Sequence, residues 1–374
     1  MVMETHIPEE EIVMDILSRL PVKTLFRFKC VSESWKIIIS QPYFKKKHLN
    51  HAKNQLNSQK LLFAGSRRDK TIYFYCYSLS PVQLVKDRRS LDWPLNSEIP
   101  YCRMKVFASC DGLFLIGIWS KPDDQPSLLL LWNPTTRESI IIPHETPQLV
   151  SIYGLGYDST SDDYILFRVD REEQAVDEIL ALKNGSWRKI YKTSSWEVSY
   201  LLSSWHCLAF VHGTFHWLGF LPGFSMASFN ISDEKYREIP LPETMPLMTE
   251  TGPEAFYFDV GVSVVEGMLS VFYNDEITFN LWVMKNYGVI ESWTKLLNIP
   301  SNGIHFIRPI YKFSDGEMLL RYRDWIASPV YTTSDGPIGL SKRIWPQACD
   351  IGAIRIYEDG FIYTESLISP KLDH

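Results

Sequence analysis

The sequence predicts an α+β, multidomain chain: a small N-terminal module of three short helices, then an all-β propeller of about five to seven blades. Three observations predict it. Apolar residues at helical spacing, punctuated by prolines, fill the stretch from Ile7 to Phe44. From Leu61 onward, short hydrophobic runs alternate with turn signals. Those runs recur in one internal order at spacings of roughly 35–55 residues. The predicted division is 1–47 for the helical module, 48–60 for a linker and 61–374 for the propeller.

Pro8 suits the first turn of a helix, where its missing N–H costs nothing, and Glu9, Glu10 and Glu11 complement the helix dipole. Ile12, Val13, Ile16, Leu17 and Leu20 follow at helical spacing. Pro21 ends that helix and opens a second one carrying Leu25, Phe28 and Val31, with Cys30 beside its apolar face. Ser32 is placed to cap a third helix holding Trp35, Ile38 and Ile39, which Pro42 stops. A unit this small cannot supply a core unaided, so its apolar stripes need an outside surface. Periodicity leaves open whether that surface is the next domain or a partner.

Residues 48–60 (HLNHAKNQLNSQK) are polar and suit a helix end plus linker. Five units follow, Ser109–Pro143, Tyr153–Ile190, His212–Pro242, Val265–Ile299 and one beginning at Ser314. Each opens on a turn glycine: Gly112, Gly154 or Gly156, Gly213, Gly267 and Gly316. A hydrophobic strand, a strand with an aromatic, a polar turn and a closing strand come next. Such an order, repeated, is that of propeller blades, with the repeat Trp residues Trp132, Trp187, Trp217, Trp282 and Trp293 in the blade cores.

Composition excludes several classes. The first 60 residues carry 10 Lys+Arg against 6 Asp+Glu, and the remainder 28 against 38. An acidic main domain argues against nucleic acid, which needs a positive surface. The one basic block, Lys45-Lys46-Lys47, reads as a solvated helix end. Six scattered Cys without a CxxC pair support neither a zinc site nor a redox dithiol, and read as reduced, mostly buried thiols. No signal peptide or membrane span is visible, so the expected location is cytoplasm and/or nucleus, with no membrane partner. No catalytic residue, metal site or cofactor emerges. His212 and His216 share a face of a predicted strand, but no carboxylate or Cys stands at ligand spacing. Adjacent Asp162 and Asp163 point apart, as a solvated loop would have them. No GxSxG or P-loop string occurs.

The helical stretch resembles an F-box. The resemblance rests on Ile7-Pro8, Ile12, Ile16-Leu17, Leu20-Pro21-Val22-Lys23, Leu25, Arg27-Phe28-Lys29-Cys30-Val31 and Ser34-Trp35. Two departures stand out: Ile-Pro replaces the usual leading Leu-Pro, and Glu33 replaces a basic residue. The remainder resembles the plant F-box-associated, kelch-like domain. It does so through Leu131-Trp132-Asn133-Pro134-Thr135-Thr136, Gly185-Ser186-Trp187-Arg188, Gly213-Thr214-Phe215-His216-Trp217 and Leu281-Trp282-Val283-Met284-Lys285. Together they place the chain with the S-locus F-box-like and F-box-kelch group. That resemblance implies a non-catalytic receptor of an SCF-type ubiquitin ligase, which binds the Skp-family adaptor and, through it, cullin. Adaptor contacts are then expected at Pro8, Ile12, Leu17, Leu20, Pro21, Val22, Leu25, Phe28, Val31 and Trp35. An unknown target protein would meet the propeller, with candidates Lys121, Asp170 and Phe224 in segments that break the repeat. Two rival readings are an enzyme hosted on the propeller and an F-box protein acting outside a ligase.

Overall fold

The computed structural model describes residues 9–55, 58–67, 72–79, 89–91, 103–120, 126–143, 151–170, 176–191, 199–201, 208–221, 223–243, 245, 259–274, 277–301, 304, 307–321, 330–332, 354–355 and 360–371. Four helices come first: α1 (Glu9–Leu17), α2 (Val22–Phe28), α3 (Glu33–Ser40) and α4 (Pro42–Lys53). Ser32 caps α3 as expected, accepting from the Trp35 N–H at a long 3.5 Å. Helix α4 exceeds the expected three. Pro42 does end α3, but it also occupies the first turn of α4, where proline is tolerated. The expected linker at 48–60 is therefore mostly helix end and strand start, because α4 runs to Lys53 and the first strand begins at Gln59.

Among the described residues, six antiparallel sheets follow. The second is Arg103–Cys110, Leu113–Trp119, Leu128–Asn133 and Glu138–Ile142, in that order. The third is Ser151–Asp158, Asp163–Asp170, Asp177–Ala181 and Trp187–Ile190. The fourth is built on Thr214–Leu221, Gly223–Asn230 and Lys235–Ile239, with the short Ser199–Leu201 and Ala209–Val211 both pairing to the first of these. The fifth is Asp259–Val265, Met268–Asn274, Thr278–Met284 and Trp293–Pro300, and the sixth Arg308–Lys312, Met318–Arg321 and Val330–Thr332. The first sheet draws on both ends of the chain. Gln59–Arg67 pairs on one side with Ile72–Ser78 and on the other with Ile354–Arg355 and Phe361–Thr364.

The sheets stack face to face into a closed ring. The strand Leu113–Trp119 is buried along its whole length. Its odd residues Leu113, Leu115 and Trp119 pack toward the third sheet. Its even residues Phe114, Ile116 and Ile118 pack toward the first. Side chains alternate across a strand, so a strand covered on both faces must read as an unbroken apolar run. Cores of the same kind lie between the third and fourth, fourth and fifth, and fifth and sixth sheets. Phe313 and Leu319 then meet Leu61, Phe63, Tyr75 and Tyr77, which joins the sixth sheet back to the first. The molecule is thus a β-propeller preceded by a helical module.

Repeat residues do recurring work. Trp132, Trp217 and Trp282 are buried blade core. Trp187 and Trp293 are half-buried, and each donates its indole N–H to the carbonyl at the end of the preceding sheet, Pro143 at 2.6 Å and Pro240 at 3.0 Å. Asp111-Gly112, His212-Gly213 and Glu266-Gly267 carry positive φ at both positions, as the tightest hairpin turns require. Gly154 and Gly156 are not turn residues; both lie inside the strand Ser151–Asp158. Glycine fits there because a Cβ would lie 2.6 Å from the Phe215 ring and 2.5 Å from the Phe210 ring.

Candidate functional site

The helical module has a filled core and an uncovered outer surface. Leu17, Val22, Leu25, Ile38, Ile39 and Phe44 form the core, together with Leu367 from the far end of the chain. Phe28 and Trp35 lean on it, half-buried, with ring centroids 5.1 Å apart. Among the described residues, eleven large hydrophobic side chains are exposed, and five of them (Ile12, Ile16, Val31, Ile37 and Tyr43) belong to this small module. Their exposures run from 47% at Ile12 to 68% at Val31. Ile12 and Ile16, four apart on α1, share a helix face.

The expected adaptor contacts therefore divide. Ile12, Pro21 and Val31 are exposed, and Leu20, Phe28 and Trp35 are half-buried. Leu17, Val22 and Leu25 are 2% exposed or less, so they belong to the module's core and not to its surface. Pro8 lies outside the described residues. Ile16, Ile37 and Tyr43 join the exposed set without having been singled out as contacts; the i, i+4 relation of Ile16 to Ile12 is the signal that points to it. Glu33, the charge that departs from the family pattern, sits 3.0 Å from Lys36 Nζ one helical turn on. Cys30 is exposed, not tucked beside the apolar face.

The basic block is no solvated helix end. It lies within α4, where Lys47 pairs with Asp15 of α1 at 2.5 Å and Lys46 pairs with Asp162 of the third sheet. Lys46, with the Tyr157 hydroxyl, holds the Asp162 carboxyl below its ordinary range. Asp162 thus reaches the module, while buried Asp163 turns inward and accepts from the N–H groups of Tyr164 and Lys183 at 2.8 and 3.0 Å. Lys53 of α4 reaches Asp111 of the second sheet at 2.5 Å. The module is docked on the propeller through side chains of α4.

His212 and His216 are not a strand pair. His212 stands in the hairpin turn, and His216 is buried on the strand beyond it. The His216 ring donates from Nδ1 to the Ala209 carbonyl at 3.3 Å and accepts at Nε2 from the Tyr287 hydroxyl at 3.0 Å. Burial pushes its pKa down to about 4. The folded state therefore keeps the ring neutral in the window from about 6.5 to 4, where the unfolded chain takes up a proton. Stability contributed above pH 6.5 is lost as pH falls through that window, by up to about 3 kcal/mol. Urea melts of wild type and His216→Gln between pH 7 and 4 should show the steeper loss in wild type; parallel curves would refute it. Among the described residues no three His, Cys, Asp or Glu side chains converge to hold a metal.

The innermost strands enclose an axial cavity of about 450 Å³. Its wall is mainly apolar, with Phe107, Phe210, Phe272 and Phe361, and carries Arg308 and Arg321 from the sixth sheet. Of the target candidates, Lys121 lies outside the described residues. Asp170 ends its strand opposite Ser151. Phe224 pairs with Phe220 in a hairpin that reverses between Leu221 and Gly223, so residues 223–225 form strand and no inserted loop.

Comparison with known proteins agrees with this architecture. The profile of the F-box domain matches residues 6–47, and that of the F-box associated beta propeller domain matches residues 67–322. The F-box/kelch-repeat protein At3g23880 of Arabidopsis thaliana is 28% identical over 380 residues, covering 96% of this chain and 95% of its own. The F-box protein CPR1 of the same plant is 27% identical over 345 residues, covering 83% and 78%. An N-terminal helical module matched by one profile and a sheet ring matched by the other leave one assignment: the chain belongs to the F-box proteins that carry a C-terminal F-box-associated β-propeller.

Proposed function

We propose that this protein is the substrate-recognition subunit of an SCF-type ubiquitin ligase, working in the cytoplasm or nucleus. The outer face of the helical module binds a Skp-family adaptor and, through it, cullin; the propeller holds a target protein. Its contribution is non-catalytic: it raises the effective concentration of the target's lysines near the ubiquitin-loaded enzyme. The observation that carries this reading is the crowding of exposed Ile12, Ile16, Val31, Ile37 and Tyr43 on a module whose interior is already full. Burying such a side chain at an interface is worth about 1.5–3 kcal/mol before the costs of association.

Because Ile12 and Val31 are surface residues, they separate docking from folding. Ile12→Asp combined with Val31→Asp should leave the circular dichroism spectrum and melt unchanged. It should weaken binding to a purified Skp-family adaptor by roughly a hundredfold or more, as loss of central apolar contacts does. Wild-type affinity in a calorimetric titration of this variant would refute the docking reading.

A further inference from the structure

The end of the chain does not stop on the propeller. After Phe361–Thr364 has paired with Gln59–Arg67, the backbone runs over the second sheet to the helical module. There two consecutive apolar residues part. Leu367, 3% exposed, enters the core of the helical module that Leu17, Leu25, Ile39 and Phe44 build. Ile368 turns the other way and packs with Leu49 of α4 into the core between the second and third sheets. One dipeptide thus anchors in two cores.

Polar contacts hold the segment in that register. The fully buried Ser366 donates its hydroxyl to the Asp111 carbonyl at 2.6 Å. Asn133, also fully buried, donates its amide to the carbonyls of Ser366 at 3.2 Å and Ile368 at 2.7 Å. The amide oxygen of Asn133 accepts from the N–H groups of Thr135 and Thr136 at 2.8 and 3.4 Å, which fixes the side chain from its own turn. Asp111 meanwhile spends its carboxylate on Lys53 of α4 and on the Tyr164 hydroxyl at 3.1 Å. Gly112 leaves the room: a Cβ there would lie 2.5 Å from Ser366 Oγ and 2.8 Å from the Thr364 carbonyl.

We propose that the C-terminal segment 365–368 is a structural part of the helical module, and that Leu367, although buried, is a positioning residue for adaptor docking. Four short helices make a small core even with Phe44 of α4, and Leu367 adds a buried side chain to it from outside the module. Ser366 and Asn133 set the angle of the module to the second and third sheets. A receptor that presents a target at a fixed distance from an adaptor needs such a joint, since a flexible one spreads the target over a larger volume. The functional half of this inference rests on the adaptor-docking reading above, and the structural half does not.

The test uses the full-length protein and two variants, Leu367→Ala and Leu367→Met, followed by hydrogen–deuterium exchange and by adaptor titration. In Leu367→Ala, amides of residues 9–40 should exchange faster by at least about thirtyfold, the lower bound for truncating a buried leucine. Strands Leu113–Trp119 and Met268–Asn274 should keep wild-type protection, and adaptor affinity should fall. Leu367→Met, which keeps volume, should restore both readouts nearly to wild type. Unchanged exchange across 9–40 in the alanine variant overturns the inference. So does loss of protection in module and blades together, which would make the segment a general folding element. A wild-type chain that binds no Skp-family adaptor would defeat the docking reading instead, and the exchange pattern would still decide the role of Leu367.

Discussion

Replacing Leu25 with aspartate is expected to unfold the helical module, leave the propeller folded and abolish adaptor binding. Leu25 is fully buried among Leu17, Val22, Ile39, Phe44 and Leu367. The substitution removes about 2 kcal/mol of apolar burial. It also places a carboxylate in that core, where an unpaired charge costs about 3–5 kcal/mol more. A module of four short helices has little stability to set against such a loss. The propeller ring closes through its own strands, with Gln59–Arg67 joined to Phe361–Thr364, so its sheets should persist. Circular dichroism should lose helical signal and keep the β contribution, and hydrogen exchange should localise the loss to residues 9–53. An intact helical signal would show that the core can adapt around a charge and would undo the packing argument. Set beside the exposed-face variant, this one distinguishes a residue that builds the module from residues that meet a partner.

Phe167→Ala is expected to destabilise the propeller by about 3–5 kcal/mol, the usual cost of emptying a large aromatic site in a core. The Phe167 ring lies 4.5 Å from that of Phe229, tilted by only 7°, and 5.2 Å from that of Phe215. All three are fully buried between the third and fourth sheets. Stacked pairs add about 0.5–1.5 kcal/mol to the area they bury, so the loss should fall toward the upper end of that range. Nearby Trp217, at 6.0 Å, is too large to shift into the space without dragging its strand. A urea melt should show a lower midpoint with the slope unchanged. A shift worth less than about 1 kcal/mol would mean that the neighbouring rings collapse into the cavity.

Much of the architecture is legible locally. Prolines 21 and 42 mark helix boundaries, and Ser32 marks a cap, because each acts on its own backbone neighbours. The five units correspond to the second through sixth sheets, and turn glycines open four of them, since hairpins are built from adjacent residues. Helix α4 reads in the sequence only as a helix end around 45–53, because its buried Phe44, Leu49 and Ala52 are diluted by Lys, His and Asn. Gly154 and Gly156 look like turn residues because a glycine signals a backbone need without saying whether that need is a turn or an approaching ring.

The chain by itself determined the helical module, the order of strands within a blade, the polar turns and the family to which they belong. Each of these depends on contacts between residues near one another in sequence. Only the tertiary structure decided the first sheet, whose pairing of Lys60 with Tyr363 joins opposite ends of the chain and leaves no local pattern. It also decided which apolar residues of the module face inward. Helical spacing gives Leu17 and Ile16 the same apolar character, and only the packing of α1 against α2, α3 and Leu367 buries the first and leaves the second in water. The same holds for the bridges from Lys46 to Asp162 and from Lys53 to Asp111. An ion pair between distant segments is a property of distance in space, and a charged residue reads alike in sequence whether it meets solvent or a partner.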